Sequence, residues 1–179
     1  MLDPHSVAAL ARGFRDLSDG QALKSLELIL MLLECSPAPF SREQFTPGHI
    51  TTSGLVLSPD GERLLLVHHR RLGRWLLPGG HVEDCDATVD AGAAREVLEE
   101  TRIIVTNGRF GGADVHGIPA KGHEPYHLHH DLLFTFRAAS EEVHVSHESH
   151  AVAWSRPDEF DRYGIPGNVR RAWRRVRES

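Results

Sequence analysis

The 179-residue sequence contains two cysteines, no long apolar run and no excess of positive charge. Cys35 and Cys85 are too few for a disulfide framework, which is typical of a protein from the reducing cytoplasm. The most apolar run, residues 26–33, is interrupted by Glu27 and is far too short to span a bilayer. A net charge of −5 argues against bulk nucleic-acid binding, and no signal peptide is recognisable. We therefore expect a soluble, cytoplasmic protein whose partners include neither nucleic acid nor a membrane.

The remaining composition, 40% hydrophobic and 25% charged residues, is that of a globular domain with a proper core. Two runs of apolar residues at helical spacing open the chain: Val7, Leu10, Phe14 and Leu17, then Leu23, Leu26, Leu30 and Leu33. Asp19 can cap the second helix, and the three prolines of residues 36–47 indicate a linker. We predict a helical extension over residues 1–47 and the main domain over residues 48–179. The apolar stripe of the second helix must pack on that domain or on a second subunit, which would make a homodimer.

The main domain reads as a mixture of strands and helices. Strands are predicted at residues 49–57, 63–68, 103–110, 127–138 and 151–155. The turn Ser58-Pro59-Asp60-Gly61 joins the first two strands. A final helix is predicted after Asn168, with Val169, Ala172, Trp173 and Val176 on its apolar face.

The most informative feature is a cluster of acidic residues. Glu96, Glu99 and Glu100 are three or four residues apart, so they share one face of a predicted helix. Carboxylates held this close repel one another, and a fold tolerates them when a cation lies between them. Hard oxygen ligands suit Mg²⁺ or Mn²⁺, and Mg²⁺ usually arrives with a phosphate substrate. The spacing therefore predicts a divalent-metal site.

The residues before the cluster form the loop that such a site needs. Gly79 and Gly80 let the backbone turn tightly and approach a ligand closely, and Pro78 fixes the entry to the turn. The helix is predicted to start near Thr88 or Asp90 and to run to about Arg102. Its apolar side would carry Ala91, Ala94, Leu98 and, in part, Val97.

Pro78-Gly79-Gly80 followed by Arg95-Glu96-Val97-Leu98-Glu99-Glu100 resembles the signature of the Nudix (MutT-like) hydrolases. The family pattern is Gly, five residues, Glu, seven residues, Arg-Glu, an aliphatic, any residue, Glu-Glu, any residue, Gly and an aliphatic. Here Asp86 replaces the first Glu, eight residues separate it from Arg95, and Arg102 replaces the last Gly. The extra residue can restore the reach of the shorter Asp86 to Arg95. Arg102 must bear a left-handed conformation or avoid it.

The resemblance covers roughly residues 48–175 and implies a fold, an activity and a cofactor. The fold would be an α/β/α sandwich with a mixed sheet, preceded by the helical extension. The activity would be hydrolysis of a diphosphate bond in a nucleoside diphosphate derivative, with Mg²⁺ or Mn²⁺. The metal ligands would be Glu96, Glu99, Glu100 and the carbonyl of Gly79. Glu99 would be catalytic, and Glu148 would be a further ligand or the general base.

A phosphate substrate beside carboxylates also needs donors of positive charge or hydrogen bonds. Arg70 and Arg74 precede the acidic loop and offer planar guanidinium groups. His81 follows the two glycines and can donate to a phosphate oxygen. We predict that these three residues contact a small-molecule phosphate substrate.

Histidine is unusually abundant, with 13 residues. Strand alternation sends His127 and His129 to one face and His130 to the other. We interpret His127 and His129 as substrate contacts. The alternative is a zinc site, which would need a third or fourth ligand that the two cysteines are not spaced to supply.

Two other functions fit parts of the pattern. A Nudix-like domain can bind a nucleotide without cleaving it and regulate transcription, but the leading 45 residues are too short for a winged helix. An isoprenoid diphosphate isomerase has a similar fold with different catalytic residues. The intact Glu-x-x-Glu-Glu favours hydrolysis over the isomerase.

Overall fold

The computed structural model describes residues 2–14, 19–147 and 149–178. Its elements are α1 (Pro4–Arg12), α2 (Gly20–Cys35), β1 (Gly48–Leu57), β2 (Leu64–His69), β3 (Arg74–Leu76), β4 (Gly79–His81), α3 (Val89–Thr101), β5 (Arg109–Ile118), β6 (His127–Arg137), β7 (Ser149–Ser155), a 3₁₀ turn (Pro157–Glu159) and α4 (Gly167–Glu178). In that part of the chain, no helix combines the length and the apolar character needed to cross a membrane.

Strand β1 lies at the centre of one mixed sheet. It pairs in parallel with β6, from Gly48 opposite Leu128 to Leu57 opposite Arg137, and antiparallel with β2 and β4. The order along the sheet is β3-β2-β1-β6-β5, with β7 paired to β2 and β4 paired to β1. The predicted α/β architecture with a mixed sheet is therefore confirmed.

The two faces of the sheet are covered by different helices. Even-numbered positions of β1, such as Ile50 and Val56, pack in a cluster with α1, α2 and α3. Odd-numbered positions such as Leu55 and Leu57 pack in a second cluster with residues of α4. Since His49 and Thr51 are odd-numbered, they face away from α3. This alternation separates two groups of functional side chains.

The N-terminal helices pack against the sheet. Leu26, Ile29 and Leu33 of α2 are at most 6% exposed and belong to the same core cluster as Ile50 of β1. The predicted cap of α2 is confirmed, because the Asp19 side chain accepts a hydrogen bond from the Ala22 amide at 3.1 Å. The predicted apolar position Leu17 lies outside the described residues. The apolar stripe of α2 thus lies on the main domain of the same chain.

The strand predicted at residues 103–110 is wrong, because β5 runs from Arg109 to Ile118. Ile103 and Val105 alternate as strand residues do and are both buried. They belong, however, to an irregular segment that covers the core after α3. The strand begins only at Arg109, where the chain pairs with β6.

The predicted apolar side of α3 is right for Val97 and wrong for Leu98. Leu98 is 38% exposed, whereas Ala93 and Val97 are fully buried. The helix crosses β1 at Gly54, where an added Cβ would lie 2.5 Å from a methyl carbon of Val97. This close approach sets the rotation of the helix and turns Leu98 toward the solvent.

Candidate active site

The residues at its two ends define where helix α3 begins and ends. The Thr88 hydroxyl accepts a hydrogen bond from the Ala91 amide at 3.3 Å and caps the start of the helix. Arg102 ends it in the left-handed region, with φ 63° and ψ 9°, and its amide donates to the Leu98 carbonyl at 2.9 Å. Arg102 therefore bears the conformation that glycine adopts more easily.

Arg95 ties the acidic loop to α3. Its Nε and Nη2 each lie 3.0 Å from one oxygen of the Asp86 carboxylate, which is 4% exposed, and Nη2 also donates to the His81 carbonyl at 2.9 Å. The hydrogen bonds to Asp86 raise the pKa of Arg95 above its ordinary value. The ion pair is present despite the shorter side chain of Asp86 and the extra residue. Together, these two departures from the family pattern preserve the connection.

The three glutamates of α3 differ in how far their side chains are exposed to the solvent. Glu100 is 4% exposed, and its Oε2 accepts a hydrogen bond from the Gly79 amide at 3.1 Å. The carboxylate of Glu96 lies against Gly80, where an added Cβ would be 2.7 Å from Oε1. The Glu99 side chain is 57% exposed. A side chain at position 80 would displace the Glu96 carboxylate from this place.

The donors around the Gly79–Gly80 loop suit a divalent cation. Arg95 Nη1 donates to both Glu96, at 2.9 Å, and Glu99, at 3.3 Å, so positive charge is already favoured between these carboxylates. Carboxylate and carbonyl oxygens are hard ligands that fit Mg²⁺ or Mn²⁺. The oxygens of all three glutamates do not converge within 4.8 Å of one another. The donor types fit the expected metal by their chemistry, and the three carboxylates would have to move closer together to bind one ion.

The structure places two of the other predicted polar residues, Arg70 and Arg74, next to β7 and at the start of β3. Arg70 Nε donates to the Ser149 carbonyl at 2.9 Å, where β7 begins. Arg74 is exposed at the start of β3. Glu148, the predicted general base or further ligand, lies outside the described residues. Arg70 and Arg74 do not line the cavity that the histidines form.

Five histidines, which we call the histidine cluster, gather on the face of the sheet away from α3. They are His49 on β1, His81 on β4, His116 on β5, and His127 and His129 on β6. The ring of His49 lies 4.9–5.1 Å, centre to centre, from the rings of His81, His127 and His129. The predicted separation is confirmed, because His130 does not belong to this group and is buried on the opposite face of β6.

Burial keeps most of these imidazoles neutral. Desolvation, followed by repulsion from His49, lowers the pKa of His129 to about 2 and that of His81 to about 4. Burial also lowers the pKa of His49. His116 differs, because a 2.9 Å hydrogen bond with Asp114 raises its pKa.

The histidine cluster opens on a cavity of about 260 Å³. Arg42 from the linker and Arg71 from the turn before β3 line it together with His49, His81, His127 and His129. The sequence analysis missed Arg42 and His49 as site residues. Strand alternation could have paired His49 with His129, but only if the parallel register of β1 and β6 had been known. The site thus combines a carboxylate loop with a separate basic and aromatic cavity.

Sequence comparison identifies the family. The sequence profile of the NUDIX domain matches residues 47–174. The chain belongs to the NUDIX family. A MutT-like protein of Streptomyces ambofaciens is 36% identical over 113 residues, which cover 62% of this NUDIX chain and 65% of that protein. The resemblance stated from the acidic motif is therefore confirmed.

Two solved structures share the NUDIX fold. The NUDIX domain of NrtR from Shewanella oneidensis, in complex with ADP ribose, matches with a TM-score of 0.57 and 17% identity over 83% of this chain and 95% of that one. A Caenorhabditis elegans Ap4A hydrolase binary complex matches with a TM-score of 0.50 and 16% identity over 72% and 95%. At these identities, the likeness concerns the fold.

Proposed function

We propose that this NUDIX protein is a Mg²⁺- or Mn²⁺-dependent pyrophosphohydrolase that cleaves a diphosphate bond in a nucleoside diphosphate derivative. The observation that carries the proposal is the Arg95–Asp86 ion pair, which holds the Gly79–Gly80 loop against the glutamates of α3. An acidic helix face that only contacts solvent would not need a buried ion pair with two hydrogen bonds to hold the preceding loop in place. Family membership supports hydrolysis as the class of reaction.

In this proposal, the carboxylates of Glu96, Glu99 and Glu100 and the carbonyl of Gly79 bind the metal. When bound, the metal polarises a phosphate and lowers the pKa of the attacking water. Glu99 is the exposed member of the three, so it is the one best able to reach a substrate directly. Glu148 serves as a further ligand or as the general base.

The proposed substrate contacts lie beside this loop. His81 follows the glycines directly, and its ring lines the cavity together with those of His127 and His129. The three histidines would contact the part of the substrate that extends from the loop into this cavity. Arg70, in the turn after β2, and Arg74, at the start of β3, would supply positive charge. One structural relative is a complex with ADP ribose and the other is named an Ap4A hydrolase, and both support a nucleotide derivative as the substrate class.

A screen of nucleoside diphosphate derivatives tests the proposal. The purified protein is incubated with Mg²⁺ and ADP ribose, dinucleoside polyphosphates or nucleoside diphosphate sugars, and the phosphate products are separated and counted. We expect at least one compound to be cleaved at its diphosphate, and Glu99→Gln to abolish that cleavage. Stoichiometric binding without turnover of any compound would instead indicate a nucleotide-sensing protein.

A further inference from the structure

Three histidines bring their ring nitrogens together at one point of the sheet. Ligand atoms of His49, His127 and His129 all lie within 4.8 Å of one another. The parallel pairing of β1 with β6 places His49 directly opposite His129, and His127 is two residues away on the same face. The group is built on two central strands, so its geometry is set by the sheet.

Hydrogen bonds to the backbone determine which nitrogens are available as metal ligands. Nδ1 of His49 lies 3.1 Å from the Gln44 carbonyl, and Nδ1 of His127 lies 2.8 Å from the Pro125 carbonyl. A carbonyl only accepts, so both Nδ1 atoms carry the hydrogen and leave the lone pair on Nε2 when the ring is neutral. Metal-bound histidines usually make this second hydrogen bond, which orients the ring and raises its basicity.

The lone pair of His49 has no hydrogen-bond partner in the described part of the chain. Its Nε2 is buried, and the whole residue is 1% exposed. Buried polar atoms are normally satisfied, and an exception needs an explanation. A neutral His129 ring can donate only one hydrogen, and His49 Nε2 accepts none from it. A cation at the centre satisfies all three rings at once.

We propose that Nε2 of His49, Nε2 of His127 and a ring nitrogen of His129 bind a divalent transition-metal ion of the Zn²⁺ class. Imidazole ligands suit such ions, whereas Mg²⁺ prefers oxygen. Nitrogens bound about 2.1 Å from a tetrahedral ion lie about 3.4 Å apart, so the rings need to close by at most about 1.4 Å. His81, whose ring centre is 4.9 Å from that of His49, or a molecule in the cavity takes the fourth position.

This metal centre is distinct from the carboxylate site. Thr52, on the other face of β1, donates a hydrogen bond to the Val89 carbonyl of α3, whereas His49 points away from that helix. The two sites also differ in ligand type, with oxygen at one and nitrogen at the other. His127 and His129 are also proposed substrate contacts, and they would meet a substrate through the bound ion. Metal binding measured without substrate therefore tests this proposal apart from the proposed hydrolysis.

Titration with Co²⁺, which absorbs visible light strongly in tetrahedral nitrogen sites, tests the proposal. Any affinity tag is removed, the protein is stripped with a chelator, and the titration is run in saturating Mg²⁺ so that oxygen sites are filled. We expect one equivalent of tightly bound, tetrahedral Co²⁺ that Zn²⁺ displaces. Absence of tight binding, or the weak spectrum of octahedral Co²⁺, would overturn the proposal.

Three variants test the ligand set. His49→Gln and His127→Gln should weaken binding by at least about 100-fold, since even indirect partners of a metal site contribute 10–100-fold. His116→Gln is the matched control, because His116 is in the histidine cluster but outside the ligand set. Binding that survives in His49→Gln and His127→Gln, or that is lost equally in folded His116→Gln, would show that the assigned ligands are wrong.

X-ray absorption of the Zn²⁺-loaded wild type provides a readout that needs no substitution. It counts imidazole nitrogens around the ion even if a variant does not fold. We expect at least three. A shell made only of oxygen would overturn the proposal.

Discussion

The substitution Asp86→Asn removes the charge on which the loop–helix connection depends while keeping the size of the side chain. Arg95 makes two 3.0 Å contacts with this carboxylate, and the two side chains are only 17% and 4% exposed. The second oxygen of Asp86 also accepts a hydrogen bond from the Glu83 amide at 2.8 Å. The asparagine retains one acceptor, so the variant loses one charge and one of the paired contacts.

Removing one member of a buried ion pair costs about 3–5 kcal/mol, because the other charge is left uncompensated. Arg95 keeps Glu96 and Glu99 as partners, so we expect a loss at or below the lower end of this range, about 2–3 kcal/mol. At about 2–4 °C per kcal/mol for a chain of this size, the melting temperature should fall by roughly 4–12 °C.

Thermal unfolding followed by circular dichroism measures this loss. Glu34→Gln is the matched control, because Arg12 and Glu34 form an ion pair whose side chains are 55% and 58% exposed. That variant should lose about 0.5 kcal/mol or less, or roughly 2 °C. If Asp86→Asn melts within 2 °C of the wild type, about the change expected of the control, then the buried ion pair does not hold the loop and the reasoning is refuted.

Three further predictions follow from the fold and the site. Glu99→Gln should lower turnover by roughly 10²-fold or more with folding retained, because it removes a principal charge of the site; near wild-type turnover in saturating Mg²⁺ would show that Glu99 is misassigned. Arg102→Gly should raise the free energy of unfolding in urea by roughly 0.5–1 kcal/mol, because it relieves the left-handed conformation but loosens the unfolded chain; a lower urea midpoint would contradict this. Deleting residues 1–45 should lower the melting temperature or expose an apolar surface that promotes aggregation. Unchanged melting, solubility and oligomeric state would show that this segment does not pack on the rest of the protein.

The sequence predicted those elements whose signals are local. The start of α3 near Thr88, the glycines before it and the spacing of Glu96, Glu99 and Glu100 are all readable within 25 residues. The ion pair between Asp86 and Arg95 was predictable because the two residues are only nine positions apart, in the loop before α3 and in the helix itself. In these cases, the types of the residues and their spacing in the sequence predict the same loop and helix.

The rest depends on contacts between distant parts of the chain. The buried face of α3 is set by the close approach of Val97 to Gly54, which no periodicity reveals. The histidine cluster depends on the register of β1 against β6, where the paired residues His49 and His129 are 80 positions apart. The third histidine of the proposed metal site could therefore not be identified until the pairing of the strands was known. The same reasoning explains the misplaced strand, because pairing with β6 decides where β5 begins.

The dependence of turnover on metal tests the central claim most directly. A cleaved nucleoside diphosphate derivative from the screen is incubated with protein in excess EDTA, and the released phosphate product is measured before and after Mg²⁺ is restored in excess of the chelator. Because the clustered carboxylates need a cation to act, we predict no turnover in EDTA and recovery with Mg²⁺. Full turnover in excess EDTA would contradict the assignment of Glu96, Glu99 and Glu100 as the metal-binding centre of a hydrolase.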